Sequence, residues 1–149
     1  MQRIRKSECK DISRIAEILI FTKRITYRHI FQNDQVSFGE MQVVPLAREY
    51  EENPSELEHI WVYEDEFVKG LIHIEHGEIV ELYVEPFFQG EGIGKRLVEF
   101  AIFEFDVSYL WVLEKNKKAI DFYKSRGFHL TTERKINDGT PEYVVKMRR

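Results

Sequence analysis

The sequence predicts an α/β fold: a single domain with a mixed, mostly antiparallel central sheet flanked by helices. Three strand-like runs between residues 58 and 85 are joined by short turns, which requires antiparallel neighbours. A glycine-rich turn at residues 89–94 joins the last of these runs to a helix-like run. The strand-like run at residues 107–113 should therefore lie parallel to the strand before the glycines, through a right-handed crossover.

Length and composition are those of one soluble globular domain, which we expect to span residues 1–149. The chain is 43% apolar and 32% charged, and its formal net charge of −4 argues against nucleic-acid binding. No apolar run is long enough to cross a bilayer, and the N-terminus lacks the apolar core of a signal peptide. We therefore expect a cytoplasmic protein without membrane contact.

The N-terminal third predicts a short strand and two helices. Residues 2–6 favour a strand, and Ser7 is expected to cap the helix that follows. Residues 22–50 are predicted to form a second, broken helix with irregular flanks, including a helical turn over 43–49. The first helix has an apolar face with helical spacing that comprises Ile12, Ile15, Ala16, Leu19 and Ile20.

An acidic stretch with five glutamates and Pro54 separates the helical part from the strands, at residues 49–58. The simpler interpretation is a solvated loop, and the alternative is an acidic rim that attracts a cationic substrate. Strands follow at 60–63, 67–75 and 78–85, with a tight turn at His76-Gly77.

The C-terminal part predicts two helices, a strand between them and a closing hairpin. The first helix runs from Ile93 to about Phe105, and its buried face comprises Ile93, Leu97, Phe100, Ala101 and Phe105. Asn116 is expected to cap the second helix and Gly127 to end it. Strands at 128–136 and 142–148 flank Asp138-Gly139, which is a strong hairpin signal.

The stretch from Gln89 to Lys95 carries three glycines in five residues between a strand and a helix. Glycines let the backbone approach a ligand closely, and a helix N-terminus presents unpaired amides and partial positive charge. Together they form an anion site suited to a phosphate-bearing cofactor. A tight turn without a ligand explains one glycine easily and three poorly.

Three phosphate-binding motifs compete for this stretch. The Walker loop requires glycine where Gln89 stands and Ser or Thr where Arg96 stands, so it is discarded. The dinucleotide fingerprint requires glycine at Lys95, although Glu114 lies twenty residues after Gly94 as its ribose-binding acid would. Too few parallel strands follow for a dinucleotide fold, which leaves this motif as a weak alternative.

The third pattern, Q-x-x-G-x-G after a strand, resembles the acyl-CoA signature of the GNAT superfamily of N-acyltransferases. A second block resembles the family's next motif at the expected distance. The two blocks cover roughly residues 78–128 and comprise Leu82-Tyr83-Val84-Glu85-Pro86-Phe87-Phe88-Gln89-Gly90-Glu91-Gly92-Ile93-Gly94, then Leu113-Glu114-Lys115-Asn116, Ala119, Phe122-Tyr123 and Gly127-Phe128.

The resemblance implies a GNAT-like sheet whose parallel strands, 79–84 and 107–113, splay apart to form a CoA cleft. Backbone amides from Gln89 to Lys95 would hold the CoA pyrophosphate, and Lys95 and Arg96 are equally well read as phosphate contacts or as solvated helix residues. The implied cofactor-binding residues are Leu82, Tyr83, Val84, Gln89, Gly90, Glu91, Gly92, Ile93, Gly94, Lys95, Asn116, Ala119, Phe122 and Tyr123.

Tyr123 is the principal catalytic candidate. An amine that attacks acetyl-CoA expels a thiolate, and a nearby phenol can supply its proton, although a reference pKa of about 10 makes it a weak acid. On its own Tyr123 is better read as an amphipathic core residue beside Phe122. Its place in the second motif favours the catalytic role.

The attacking amine must lose a proton, and the candidate bases are Glu78, Glu81 and His73. Strand alternation places Glu78 and Glu81 on opposite sides of the sheet unless a bulge intervenes. Each is also readable as an ordinary residue of the sheet face, and no base is needed if the substrate binds neutral. The single cysteine, Cys9, lies far in sequence from both motifs, so we favour direct attack in a ternary complex.

The implied function is transfer of an acetyl group from acetyl-CoA to a primary amine of a small molecule or peptide. The alternative is a non-catalytic acyl-CoA-binding sensor or regulatory module. The acidic balance fits a cationic acceptor. The resemblance implies acetyl-CoA as co-substrate, and because the histidines lack metal-ligand spacing we expect no metal. The resemblance is also compatible with a homodimer.

Overall fold

The computed structural model describes residues 2–149, which form one mixed sheet of seven strands flanked by helices. The strand order is β1-β2-β3-β4-β5-β7-β6, and each neighbouring pair is antiparallel except β4 and β5. The predicted fold class, including the parallel pair, is confirmed. The strands are β1 Arg3–Lys6, β2 Ile60–Asp65, β3 Phe67–Glu75, β4 Glu78–Val84, β5 Tyr109–Leu113, β6 His129–Ile136 and β7 Tyr143–Arg148.

Helices cover both faces of this sheet. The first face carries α1 Ile12–Phe31 and α2 Val43–Glu52, and the second carries α3 Ile93–Phe105 and α4 Lys117–Ser125. The core under α1 and α2 comprises Ile12, Ile15, Ile18, Tyr50, Leu57, Ile60, Val62, Val68 and Leu71. The core under α3 and α4 includes Ile72, Ile74, Ile79, Ile93, Leu97, Val98, Ala101, Leu110, Ile120, Phe128 and Met147.

The predicted break after the first apolar face of α1 is wrong. The helix continues without interruption to Phe31 and ends where Gln32 adopts a left-handed backbone (φ 50°). No glycine or proline lies between Ile12 and Phe38, so nothing stops the helix earlier. A π-helical segment, Gln35–Glu40, then precedes α2, which is a full helix and not the single turn predicted over 43–49.

Three further local predictions need correction. The Ser7 hydroxyl does not cap a helix, because it donates to the carbonyl of Leu57 at 2.8 Å. The acidic stretch is not a loop: it forms the end of α2 and a 3₁₀ turn, Pro54–His59, on which the glutamates are exposed. Phe105 was predicted to lie on the buried face of α3 but is 40% exposed, because the helix ends at this residue. Its ring lies beside Trp61, with a centroid distance of 4.6 Å.

A buried ion pair holds the start of α1 to the sheet. The Asp11 carboxylate accepts two hydrogen bonds from the Arg5 guanidinium, at 2.8 and 2.9 Å, and one from the Glu8 amide at 2.8 Å. Burial alone would raise the pKa of Asp11, but these hydrogen bonds outweigh burial and lower the pKa.

Replacing Asp11 with Asn should lower the free energy of unfolding by about 2 kcal/mol at pH 7, because it removes one of the two carboxylates that pair with Arg5 and leaves only Glu64, at 2.9 Å. A carboxyl whose pKa is lowered in the folded state stabilises the protein above its unfolded pKa of about 3.9, and that contribution is lost as the pH falls through the folded pKa. Urea unfolding at neutral pH and at about pH 3 measures both effects.

The matched control is Asp121→Asn, since Asp121 is exposed on α4. It should change the free energy of unfolding by less than about 0.5 kcal/mol. If the deficit of Asp11→Asn were the same at both pH values, ionisation of Asp11 would not be its cause.

Candidate active site

The parallel strands β4 and β5 separate and open a cleft. They pair only at Glu78–Tyr109 and Ile79–Leu110, and beyond these positions the two strands diverge. The resulting cleft has a volume of 830 Å³ and is lined by both strands, by the glycine turn and by residues of α1 and α4. The splayed pair expected from the resemblance is therefore present, with the backbone of Leu82–Val84 on one wall.

A β-bulge at Val80 determines which side chains face the cleft from β4. His73 pairs with Glu81, but the next residue, Ile74, pairs with Ile79, so Val80 is the extra residue. Ile79 lies in the core beneath α3 and α4, whereas Glu81 faces α1. The bulge thus places both Glu78 and Glu81 on the α1 side, in contrast to the opposite sides expected from strict alternation.

Among residues 2–149, the backbone amides of the glycine turn from Gly90 to Lys95 have no hydrogen-bond acceptor. Gly90 and Gly92 have φ of 84° and 83°, a left-handed conformation that glycine adopts without cost. The first bond of α3 runs from the Arg96 amide to the Gly92 carbonyl, so the helical amides before Arg96 have no intrahelical partner. The Gln89 side chain fixes the turn by donating to the Val84 carbonyl at 3.0 Å.

The two cations after the turn differ in direction. Lys95 lines the cleft with its side chain 54% exposed, where it can meet an anion. Arg96 points away, because its guanidinium donates to the Tyr63 hydroxyl at 2.8 Å and to the Gln2 side chain. Arg96 was predicted either to contact the phosphates or to be a solvated helix residue. The structure favours a position without phosphate contact.

Tyr123 lies on the opposite wall and is 9% exposed. Its ring packs against those of Phe122 and Phe128, with centroid distances of 5.2 and 5.9 Å. Burial raises the pKa of Tyr123 well above its ordinary value, and the nearby Tyr27 adds to the effect. The phenol therefore stays protonated and can donate to an anion in the cleft. The helix that carries it begins at Asn116, whose side chain accepts the Ala119 amide at 3.3 Å, as predicted.

Glu81 is the centre of a charged group on the α1 side. Its carboxylate lies 3.6 Å from Nζ of Lys23 and 3.5 Å from Nδ1 of His73. Burial would raise the pKa of Glu81, but the hydrogen bond from His73 and the charge of Lys23 outweigh it, so the pKa is lowered. Burial likewise would lower the pKa of His73, but Glu81 and Glu75 raise it.

Glu78 has a different environment. It lies where β4 and β5 are still paired, and its carboxylate interacts with the Tyr109 hydroxyl. Burial raises the pKa of Glu78, and the charge of Lys135 only partly offsets this. Glu81, by contrast, lies beyond the last paired residues, beside the open part of the cleft.

Sequence reasoning missed the wall that α1 contributes. Thr22, Lys23, Thr26 and Tyr27 line the cleft, and the Thr22 hydroxyl is buried without a hydrogen-bond partner among residues 2–149. These polar residues interrupt the apolar face of α1, and that interruption is the signal that could have revealed them. Trp111, Lys135 and Asn137 complete the far end of the cleft and were also missed.

Neither the single cysteine nor a metal-binding group contributes to the cleft in the part of the chain that the structure describes. Cys9 is exposed in the 3₁₀ turn before α1 and is not part of the cleft. Within residues 2–149, no three side chains of the metal-ligating types come together to hold an ion. No helix in that range is long and apolar enough to span a membrane.

The family of the chain follows from its similarity to known proteins. A model of the acetyltransferase (GNAT) domain matches residues 56–130, about half of the chain and the part that builds the cleft. The protein belongs to the GNAT acetyltransferase family.

Particular relatives extend this finding. Peptidyl-lysine N-acetyltransferase YjaB of Salmonella typhimurium is 39% identical over 67 residues, which are 44% of this chain and 46% of that protein. The matched part thus spans less than half of that relative.

Solved structures share the whole fold. The apo-form of YjaB from Escherichia coli has a TM-score of 0.74 and 24% identity, over 99% of this chain and 97% of that one. YncA of Salmonella typhimurium, a putative acetyltransferase solved with acetyl-CoA, has a TM-score of 0.67 and 19% identity, over 99% and 92% of the two chains.

Proposed function

We propose that this protein transfers an acetyl group from acetyl-CoA to a primary amine, by direct attack in a ternary complex. The observation that carries the proposal is the cleft between β4 and β5, which has the glycine turn along it, Tyr123 on one wall and Glu81 on the other. An anion site, a protonated phenol and a carboxylate are the three groups that this reaction uses.

The residues around the cleft fit acetyl-CoA. The unpaired amides of the glycine turn would hold the pyrophosphate, with Lys95 adding positive charge. The free edge of β4 at Leu82–Val84 would bind the pantetheine arm and polarise the thioester carbonyl, and Asn116, Ala119 and Phe122 would line its path. Bound there, acetyl-CoA supplies an activated acetyl group.

Proton movement is assigned to two residues. Tyr123 donates to the sulfur as the C–S bond breaks, because burial keeps its phenol protonated. Glu81 takes the proton from the attacking amine, directly or through water, because it is ionised and stands beside the open part of the cleft. Glu78 is the second candidate base, since it lines the same cleft and shares its face of the sheet.

The acceptor is proposed to be a lysine side chain of a peptide or a small cationic amine. The Salmonella relative named a peptidyl-lysine N-acetyltransferase supports the peptide. Glu78 and Glu81 on the cleft wall provide negative charge for a cation.

Two assays test this proposal. Calorimetric titration should show selective binding of acetyl-CoA over ATP and NAD, followed by turnover with at least one amine in a panel of lysine peptides and polyamines. If the protein did not bind acetyl-CoA, the proposed acetyl transfer would be contradicted, because the reaction requires that co-substrate in the cleft. Binding without turnover of any amine would favour a non-catalytic acyl-CoA sensor.

Replacing Gly92 with Val should weaken acetyl-CoA binding by about 10- to 100-fold, since a β-branched residue disfavours the left-handed backbone that aims the amides at the pyrophosphate. The matched control is Gly139→Val, because Gly139 has a similar φ of 79° but is not part of the cleft lining. Calorimetry measures both variants. An equal loss of affinity in both would attribute the effect to general destabilisation.

A further inference from the structure

A lysine of the protein itself lies in the cleft. The side chain of Lys23 projects from α1, is 28% exposed, and lines the same cavity as Tyr123 and the free edge of β4. Its Nζ lies 5.9 Å from the centroid of the Tyr83 ring, beside the stretch of β4 assigned to the thioester. The protein therefore already holds a primary amine where an acceptor amine would have to bind.

The groups that face Lys23 come from two elements, β4 and α1. Glu81 of β4 pairs with it, Tyr83 of β4 lies beneath it, and Tyr27 follows one turn later on α1. The ion pair with Glu81 is the contact that orients the ammonium. Lysine has a flexible four-carbon stem, so rotation about that stem moves Nζ within the cleft.

A chain of acidic and basic groups leads from this amine to the solvent. Glu81 lies 3.5 Å from Nδ1 of His73, whose Nε2 lies 3.3 Å from Glu75. The other oxygen of Glu75 lies 3.6 Å from Nε2 of His59, whose side chain is 45% exposed. These contacts are ion pairs: within residues 2–149 the Nε2 atom of His73 has no hydrogen-bond partner, so Glu81 is the group placed to take a proton from Lys23.

We propose that Lys23 is a self-acetylation site: its Nζ attacks acetyl-CoA bound in the same molecule. The proposal rests on the proposed function, since it needs acetyl-CoA in the cleft. A new N–C bond forms to the acetyl carbonyl, and the C–S bond of the thioester breaks. The Lys23 ammonium first gives one proton to Glu81, which releases it to solvent, and the neutral amine then attacks. As the C–S bond breaks, Tyr123 protonates the CoA thiolate, and the second proton lost from Nζ restores the Tyr123 phenol through solvent in the cleft. The products are Nε-acetyl-Lys23 and free CoA.

Acetylation would alter the cleft. The acetyl group removes the positive charge that faces Glu81 and fills part of the α1 wall. The cleft would then contain one cation fewer. The ammonium of an incoming acceptor would no longer compete with Lys23 for the Glu81 carboxylate.

The test uses the whole protein and isotopically labelled acetyl-CoA without any acceptor, followed by peptide mapping. Lys23 should be acetylated roughly 100-fold faster than the exposed Lys10, because an amine held beside the thioester reacts as if at high effective concentration. The rate constant for Lys23 should not change when the protein is diluted. Lys23→Arg should remove this label, whereas Lys10→Arg should leave it intact.

Several results separate the possibilities. Equal labelling of Lys23 and Lys10, or equal labelling of Lys23 in Tyr123→Phe and in the unaltered protein, would mean uncatalysed acetylation and overturn the inference. A rate that rises with protein concentration would mean transfer between molecules and overturn it as well. Calorimetric binding of acetyl-CoA without labelling of Lys23 would overturn self-acetylation and leave the proposed function standing. Absence of binding would instead defeat the proposed function.

Discussion

Replacing Tyr123 with Phe should lower kcat for acetyl transfer by about 100-fold or more, which is the usual contribution of a positioned general acid. The affinity for acetyl-CoA should stay unchanged, because the lost hydroxyl serves only the departing sulfur and Phe preserves the packing against Phe122 and Phe128. Steady-state kinetics with any amine found in the panel, together with calorimetry, measures the two quantities separately.

The pH dependence sharpens this test. Because burial raises the pKa of Tyr123 above the ordinary value of about 10, the unaltered protein should show no loss of kcat from Tyr123 ionisation up to that pH. Tyr143→Phe is the matched control, since Tyr143 lies partly exposed on β7 and is not among the residues that line the cleft. Full activity in Tyr123→Phe would remove Tyr123 from the mechanism.

Replacing Glu81 with Gln should lower kcat by about 100-fold, because an amide cannot accept the proton of the attacking amine. The variant should also change His73, whose pKa is raised mainly by its hydrogen bond and charge interaction with Glu81. Without that carboxylate the pKa of His73 should fall toward or below the ordinary value of about 6.5. Kinetics measures the first effect, and an NMR titration of the His73 ring measures the second.

Two further variants identify the base. Glu104→Gln, on the exposed side of α3, should change neither kcat nor the His73 titration. Glu78→Gln should have a smaller effect on kcat than Glu81→Gln, because Glu78 lies where the strands are still paired. The opposite order of these two effects would transfer the role of base to Glu78.

The features predicted correctly are those with strong local signals. Gln89-Gly90-Glu91-Gly92 marked the turn between β4 and α3, Asn116 and Gly127 marked the ends of α4, and Asp138-Gly139 marked the last hairpin. Each of these depends on backbone geometry that few residue types can adopt, so the residues themselves reveal it.

The features that were missed depend on distant parts of the chain. The extension of α1 to Phe31 was missed because Thr22 and Lys23 interrupt its apolar face. These two residues line a cleft whose other walls come from β4 and from residues further along the chain. The bulge at Val80 follows from pairing with β3 and has no local marker. Ser7 resembles a cap, but its partner is the carbonyl of Leu57, which only the folded chain brings near.

The two halves of the uninterrupted α1 helix have different surroundings. Its first half, around Ile15 and Ile18, is buried in the core and stabilises the fold. Four residues of its second half line the cleft and lie outside that core cluster, namely Thr22, Lys23, Thr26 and Tyr27. The positions that line the cleft and the positions that pack the core therefore lie on separate stretches of one helix, and substitution of the partly exposed Lys23 is expected to cost little stability.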